Sequence, residues 1–204
     1  MRRYIDLHCD TLTELTDHET LEQNHKSITL EGLQKVEVLI QCCSIFIATG
    51  RTEQGKRHQT IENEVNRIYG NYQRELGAHP EQLQQILGFE DIGRCLREDK
   101  TGILLTIEDG GVLEGQSERL QQMYQKGVRL ITLLWNDENE IGYPNSPNPE
   151  IMKKGLKPVG RELVEEMDAC GIVVDVSHLS DGGFLDVAEY FRQKRRPFVA
   201  SHSN

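Results

Sequence analysis

Short apolar runs alternate with longer amphipathic ones along the whole chain, and that alternation limits the fold more than any single residue does. The runs at 4–8 (YIDLH), 36–49 (VEVLIQCCSIFIAT), 102–111 (GILLTIEDGG), 129–135 (RLITLLW), 172–178 (IVVDVSH) and 197–202 (PFVASH) read as six strands. Within 53–76, Ile61, Val65, Ile68 and Tyr72 recur at helical spacing, and HPEQLQQILG reads as a short helix or loop. A helix over 117–128 opens on Ser117 as N-cap and closes at Gly127; another over 157–171 ends at Gly171; SDGGFLDVAEYFRQK begins with a capping signal. Strands separated by helices pair in parallel, with the helices covering the sheet. Six such strands fit a doubly wound sheet or most of a (β/α)8 barrel. A doubly wound nucleotide-binding sheet carries a glycine-rich loop after its first strand. Here HCDTLTEL follows instead, without a glycine. A barrel gathers functional side chains at the C-terminal ends of several strands, and this chain does so repeatedly. The expectation is one α/β domain over 1–204, a TIM-like (β/α)8 barrel with about six strands present and the C-terminal strands missing.

Composition removes several functions. The formal net charge is −10 with a pI near 5.2, which makes the chain a poor candidate for general nucleic-acid binding, since neutralising phosphates needs clustered Lys and Arg. The basic cluster RQKRRP at 192–197 reads as the solvated end of a helix. No apolar run is long enough to span a bilayer, and the opening MRRYIDLHCD lacks the apolar segment of a secretory signal. A cytoplasmic location is the resulting expectation, with neither nucleic acid nor membrane as partner. Five cysteines without a CxxC spacing argue against a disulfide framework; Cys42, Cys43 and Cys170 read as small core residues. Any metal must therefore be held by His and carboxylate.

Residues of that kind stand at the strand ends. The first strand ends in His8 and Asp10, which point the same way on an extended chain. The third carries Glu108, the fourth ends in Trp135 and Asn136, the fifth in His178 and the sixth in His202. Singly, each has a plainer reading: a strand-end histidine is more often structural, and Glu108 can cap the following helix. Together, three imidazoles and two carboxylates suit zinc, and also manganese or iron. Five ligands, with one carboxylate between two groups, suit two ions sharing Glu108. Such a pair activates a bridging water and polarises a carbonyl, the chemistry of amide or ester hydrolysis. His18, His25, His58 and His79 lie in polar segments and read as solvated.

The stretches DLHCDTL (6–12), TIEDGG (106–111), GVRLITLLWNDENEIGY (127–143), GRELVEEMDACGIVVDVSHLSDGGFLDV (160–187) and PFVASHSN (197–204) carry a resemblance. The chain resembles the membrane (renal) dipeptidase family of zinc metallopeptidases. The resemblance implies a distorted (β/α)8 barrel that cleaves dipeptides, often tolerating a D-residue at the C-terminal position. It also implies two zinc ions: His8 and Asp10 on one, His178 and His202 on the other, Glu108 bridging both. Two departures accompany it. Mammalian members end the fourth strand in a substrate-contacting histidine, where this chain has Trp135; Trp135 and Asn136 are the candidate substrate contacts. The family chain also continues past the second metal histidine, supplying a substrate-carboxylate arginine and a late acid/base aspartate, neither of which is in 1–204. The expectation is a truncated, bacterial-type member whose isolated chain is unstable or aggregates and is weakly active at best. The alternatives are another small-amide or ester metallohydrolase on the same barrel and an inactive metal-binding fragment. A small dipeptide is the expected partner, and a homodimer is left open.

Overall fold

A computed structural model describes residues 4–53 and 55–202; the arginines at 2–3 and the end of the last motif at 203–204 lie outside the described residues. The fold is α/β with parallel strands. It divides into two compact units, one up to Phe46 together with Asn63–Thr106, the other Ile47–Glu62 together with Ile107 onward. Among the described residues, no helix is long and apolar enough to cross a membrane.

In the first unit, β1 (Tyr4–Asp6) pairs in parallel with β2 (Val38–Phe46), placing Asp6 opposite Gln41. Between them lie two short helices, α1 (Thr11–Glu14) and α2 (Leu30–Lys35), the second capped by Thr29, whose hydroxyl accepts the Gly32 amide. Every β2 residue from Val38 to Ile45 is buried, as expected of a parallel strand covered on both faces. The helix α3 (Arg57–Ala78) follows, and its Val65, Ile68 and Tyr72 are buried at the expected spacing. From α3, Arg67 and Asn71 donate to the carbonyls of Leu12, Thr13 and Leu15, fixing α1 and its C-cap.

The segment HPEQLQQILG is not helical. Leu83–Gln85 forms β3, paired in parallel with the start of β4 (Thr101–Glu108), and α4 (Phe89–Glu98) joins the two. Leu39, Ile40, Ile86 and Cys95 make a shared core there, with Ile92 and Leu104 against it. Gly102 is required: a Cβ there would lie 2.6 Å from the Ile86 side chain.

The chain re-enters the second unit at Ile107, and β4 ends there on Glu108. A 3-10 turn (Gly110–Leu113) leads to α5 (Ser117–Lys126), β5 (Val128–Thr132), α6 (Pro149–Met152), α7 (Pro158–Cys170), β6 (Val173–Asp175) and α8 (Asp181–Lys194). Strands β5 and β6 pair in parallel, with Thr132 opposite Asp175. Gly127 and Gly171 end α5 and α7 in the left-handed region at φ 99° and 81°. Ser180 caps α8 by accepting the Gly183 amide. Ser117 does not cap α5: Gln116 holds the N-cap position, and the Ser117 hydroxyl donates to Glu166.

The sixth expected strand, 197–202, shrinks to one parallel bridge between Val199 and Asp175. Val199 makes ladder bonds to Val174 and Val176, but the next amides turn elsewhere: Ser201 donates to the Asp175 carboxylate and His202 to Ser177 Oγ. Side chains thus take the donors that would have extended the strand. The fifth strand stops at Asp175 for a related reason, because the Ser177 amide bonds that same carboxylate.

Candidate metal centre

Within the second unit, three of the expected ligands meet. Glu108, the last residue of β4, is 3% exposed. Its Oε1 lies 3.2 Å from His178 Nε2 and 3.3 Å from His202 Nε2. The two Nε2 atoms are 2.8 Å apart. Each element reaches this point differently. Glu108 arrives on a strand. His178 arrives on a turn after β6, with its backbone in the left-handed region at φ 65°. His202 follows the Val199 bridge.

Glu108 does not cap the following turn. Asp109 does, accepting from the Gly111 amide at 3.0 Å. Asp109 is buried and also accepts from Thr49 N, Thr49 Oγ1 and Asn139 Nδ2 at 3.0, 2.7 and 2.8 Å. Asn139 continues outward, donating to the Leu133 carbonyl and accepting the Ile141 amide. The loop after β5 is thereby fixed to the residue next to Glu108. Arg57 adds a forked bond to Glu140 at 2.6 and 2.9 Å. Burial tends to raise the Glu140 pKa, but the Arg57 guanidinium outweighs it and holds the carboxyl below its ordinary range. The same contact pushes Arg57 up.

Trp135 and Asn136 stand at the start of this loop. The Arg51 guanidinium lies 4.3 Å over the Trp135 ring and bonds Asp137 at 3.1 Å. Asn136 Oδ1 is 3.2 Å from His178 Nδ1, so this amide touches one of the three converging side chains.

In the first unit, His8 and Asp10 come together, though not on an extended chain. Strand β1 stops at Asp6, and Asp10 is the N-cap residue of α1. Asp6 accepts the His8 amide at 3.3 Å and the Gln41 side chain at 2.9 Å, and the resulting turn brings His8 Nε2 to 3.3 Å from Asp10 Oδ2. Both side chains line a cavity of about 270 Å³ together with Asp6, Glu14 and Ser27. Asp10 Oδ1 is buried and has no hydrogen-bond partner among the described residues. A buried carboxylate oxygen in that state is costly unless a cation or a donor faces it.

The donor chemistry fits a metal. One carboxylate and two imidazole nitrogens converge within 3.3 Å in the second unit. Two nitrogens on one tetrahedral zinc, each bonded at about 2.0–2.1 Å, stand roughly 3.3 Å apart, so small ring movements suffice. Of the remaining histidines, His18, His25 and His58 are exposed. His79 is not: its side chain is 12% exposed and lies 3.8 Å from the buried Glu75 carboxylate. Cys42 and Cys43 are core residues, whereas Cys170 is only half-buried. What the sequence reading missed is the layer behind the candidate ligands: Asp109, Asn139, Asp175, Ser177 and Ser201. One signal was available, since both His178 and His202 are preceded by serine.

A model of the family described as membrane dipeptidase (peptidase family M19) matches residues 2–204. An uncharacterised protein of the pqqA 5′ region of Klebsiella pneumoniae is 35% identical over 139 residues, which is 64% of this chain and 49% of that protein. The probable dipeptidase PvdM of Pseudomonas aeruginosa has a similar structure, with a TM-score of 0.76 at 21% identity over 92% of this chain and 47% of that one. A metallopeptidase of Rhodobacter sphaeroides, solved with a phosphinate mimic of the dipeptide L-Ala-D-Ala, has a TM-score of 0.74 at 17% identity, over 95% of this chain and 60% of that one. The chain spans about half the length of these proteins, and its α/β fold is that of the two solved structures. With a family model matching nearly end to end, the chain belongs to the membrane dipeptidase family.

Proposed function

We propose that this chain carries the metal-binding part of a zinc-dependent dipeptidase. The observation that carries the reading is the convergence of Glu108, His178 and His202 inside a chain of this family. In this reading His178 and His202 hold one zinc, His8 and Asp10 hold a second, and Glu108 is shared. The orphaned Asp10 oxygen supports a cation on the first-unit side. Bound zinc ions supply an activated water and a polarised carbonyl. The protein's share is to hold Glu108 nearly dry, to aim both Nε2 atoms at one point, and to fix the Trp135–Asn136 segment where it can flank a small substrate. The Asn136 oxygen is taken by His178, which leaves its amide nitrogen for a substrate carbonyl or carboxylate. The dipeptide-mimic complex of the Rhodobacter sphaeroides relative makes a dipeptide the first substrate class to assay. A cytoplasmic site of action belongs to the same reading, supported by five cysteines none of which is in a disulfide.

The test is metal content by elemental analysis together with hydrolysis of a panel of L,L and L,D dipeptides. Two zinc ions per chain are expected, with loss of both in Glu108→Gln and of one in His178→Ala. Zinc uptake unchanged in Glu108→Gln would remove the basis of the assignment. Lactone or phosphoester turnover in place of dipeptide turnover would move the chain to another metallohydrolase activity.

A further inference from the structure

Behind His202 stands a buried carboxylate that the reading above does not use. Asp175, the last residue of β6, is fully buried. Its Oδ1 accepts from the Ser177 amide at 3.0 Å, from Ser177 Oγ at 2.8 Å and from the Ser201 amide at 3.0 Å. Its Oδ2 accepts from Thr132 Oγ1 at 2.6 Å and from Ser201 Oγ at 2.5 Å. Burial tends to raise its pKa, but the Ser201 and Thr132 hydroxyls and the two amides outweigh it and leave the carboxyl below the usual aspartate range.

The placement of protons follows from these contacts. An amide N–H can only donate, so Oδ1 is an acceptor. Each serine has one hydroxyl proton. Ser177 gives its own to Oδ1 and keeps its lone pairs for the His202 amide, 3.2 Å away. Ser201 gives its own to Oδ2, at 2.5 Å. The Ser201 oxygen then has only lone pairs to offer His202 Nδ1, 2.7 Å away. Nδ1 must therefore carry hydrogen, and in the neutral ring Nε2, the atom facing Glu108 and His178, keeps its lone pair.

We propose that Ser201 and Asp175 are positioning residues that hold His202 as the Nδ1–H tautomer and so present Nε2 as a ligand. The carboxylate acts through an intervening hydroxyl rather than on the ring itself. The ligand role of His202 rests on the function proposed above; the tautomer does not. Loss of a partner of this kind costs about 10–100-fold in metal affinity.

The tautomer is read on the metal-free full chain, labelled with 15N histidine, from long-range proton–nitrogen correlations. Wild type should show His202 with a protonated Nδ1 and an unprotonated Nε2. Ser201→Ala should shift the ring toward Nε2–H and weaken zinc binding about 10–100-fold, measured by competition with a chromophoric chelator. Ser201→Thr keeps a hydroxyl and should restore both. A wild-type His202 found as Nε2–H, or a Ser201→Ala ring with the wild-type tautomer, overturns the proposal. The wild-type spectrum needs no variant, so the claim stays testable if the alanine chain does not fold. The expected tautomer in a chain that takes up no zinc would uphold this assignment and overturn the metal reading alone.

Discussion

Asn139→Ala should destabilise the chain by about 4–6 kcal/mol. Asn139 is 4% exposed. Its amide donates to Asp109 Oδ1 at 2.8 Å and to the Leu133 carbonyl at 2.9 Å. Its oxygen accepts the Ile141 amide at 2.8 Å and, more weakly, the Gly142 amide at 3.3 Å. Three good hydrogen bonds at about 1 kcal/mol each, plus about 1–3 kcal/mol for a buried group left unsatisfied, give that range. Native domains hold only about 5–15 kcal/mol in total, so the change is severe. Trp135 is the single tryptophan and sits four residues away, so its fluorescence in urea reports on this loop. Midpoint and slope together give the free energy. A loss below about 1 kcal/mol with an unchanged slope would refute the reasoning, since that is the worth of a single solvated bond. Asn139→Asp sharpens the test. It replaces a donor facing the Asp109 carboxylate with a second carboxylate, and should be worse than alanine at neutral pH.

Gly160→Ala would place a Cβ 2.1 Å from the Ile141 carbonyl oxygen, so the ordinary helix gain of about 1 kcal/mol should be reversed into a net loss of about 1–3 kcal/mol, visible as a lower Tm. Alanine at Gly171, where no atom crowds the added Cβ, should cost only the left-handed backbone term of about 1 kcal/mol; equal losses at both positions would contradict the close approach. For the Arg57–Glu140 pair, the folded carboxyl is held below its ordinary value of 4.5, so its stabilisation is complete above that value and fades as the pH falls through the lower folded one. The stability gap between wild type and Glu140→Gln should be about 1 kcal/mol at neutral pH and shrink in acid, and a gap independent of pH would sink that account.

Much of this was legible in the sequence, and the failures have physical reasons. The place of Glu108 at the end of β4 is legible because the apolar run stops just before two glycines, both of them closely packed: a Cβ at Gly110 would meet Ile141 at 2.5 Å, and one at Gly111 would meet Thr49 at 2.1 Å. The helices α7 and α8 were found through their caps. Strand β3 was missed because Leu83, Ile86 and Leu87 fall at helical spacing and the strand is three residues long, held only by its neighbour. His8 and Asp10 were paired for the wrong reason: a turn anchored by Asp6 brings them together, not an extended strand. The candidate ligands stand out because His, Asp and Glu at strand ends are conspicuous. Asp175, Ser177 and Ser201 do not, since serine and aspartate near a strand end are ordinary until the turn aims them.

His178 holds a backbone conformation, at φ 65°, that an L-residue with a bulky side chain adopts only against about 1–2 kcal/mol of steric resistance. Asparagine tolerates that conformation better than histidine does, and glycine better still. His178→Asn should therefore melt higher than the natural chain while losing the imidazole that faces Glu108. A screen for thermal robustness alone would accept that replacement, and with it would go the imidazole nitrogen that stands 3.2 Å from Glu108.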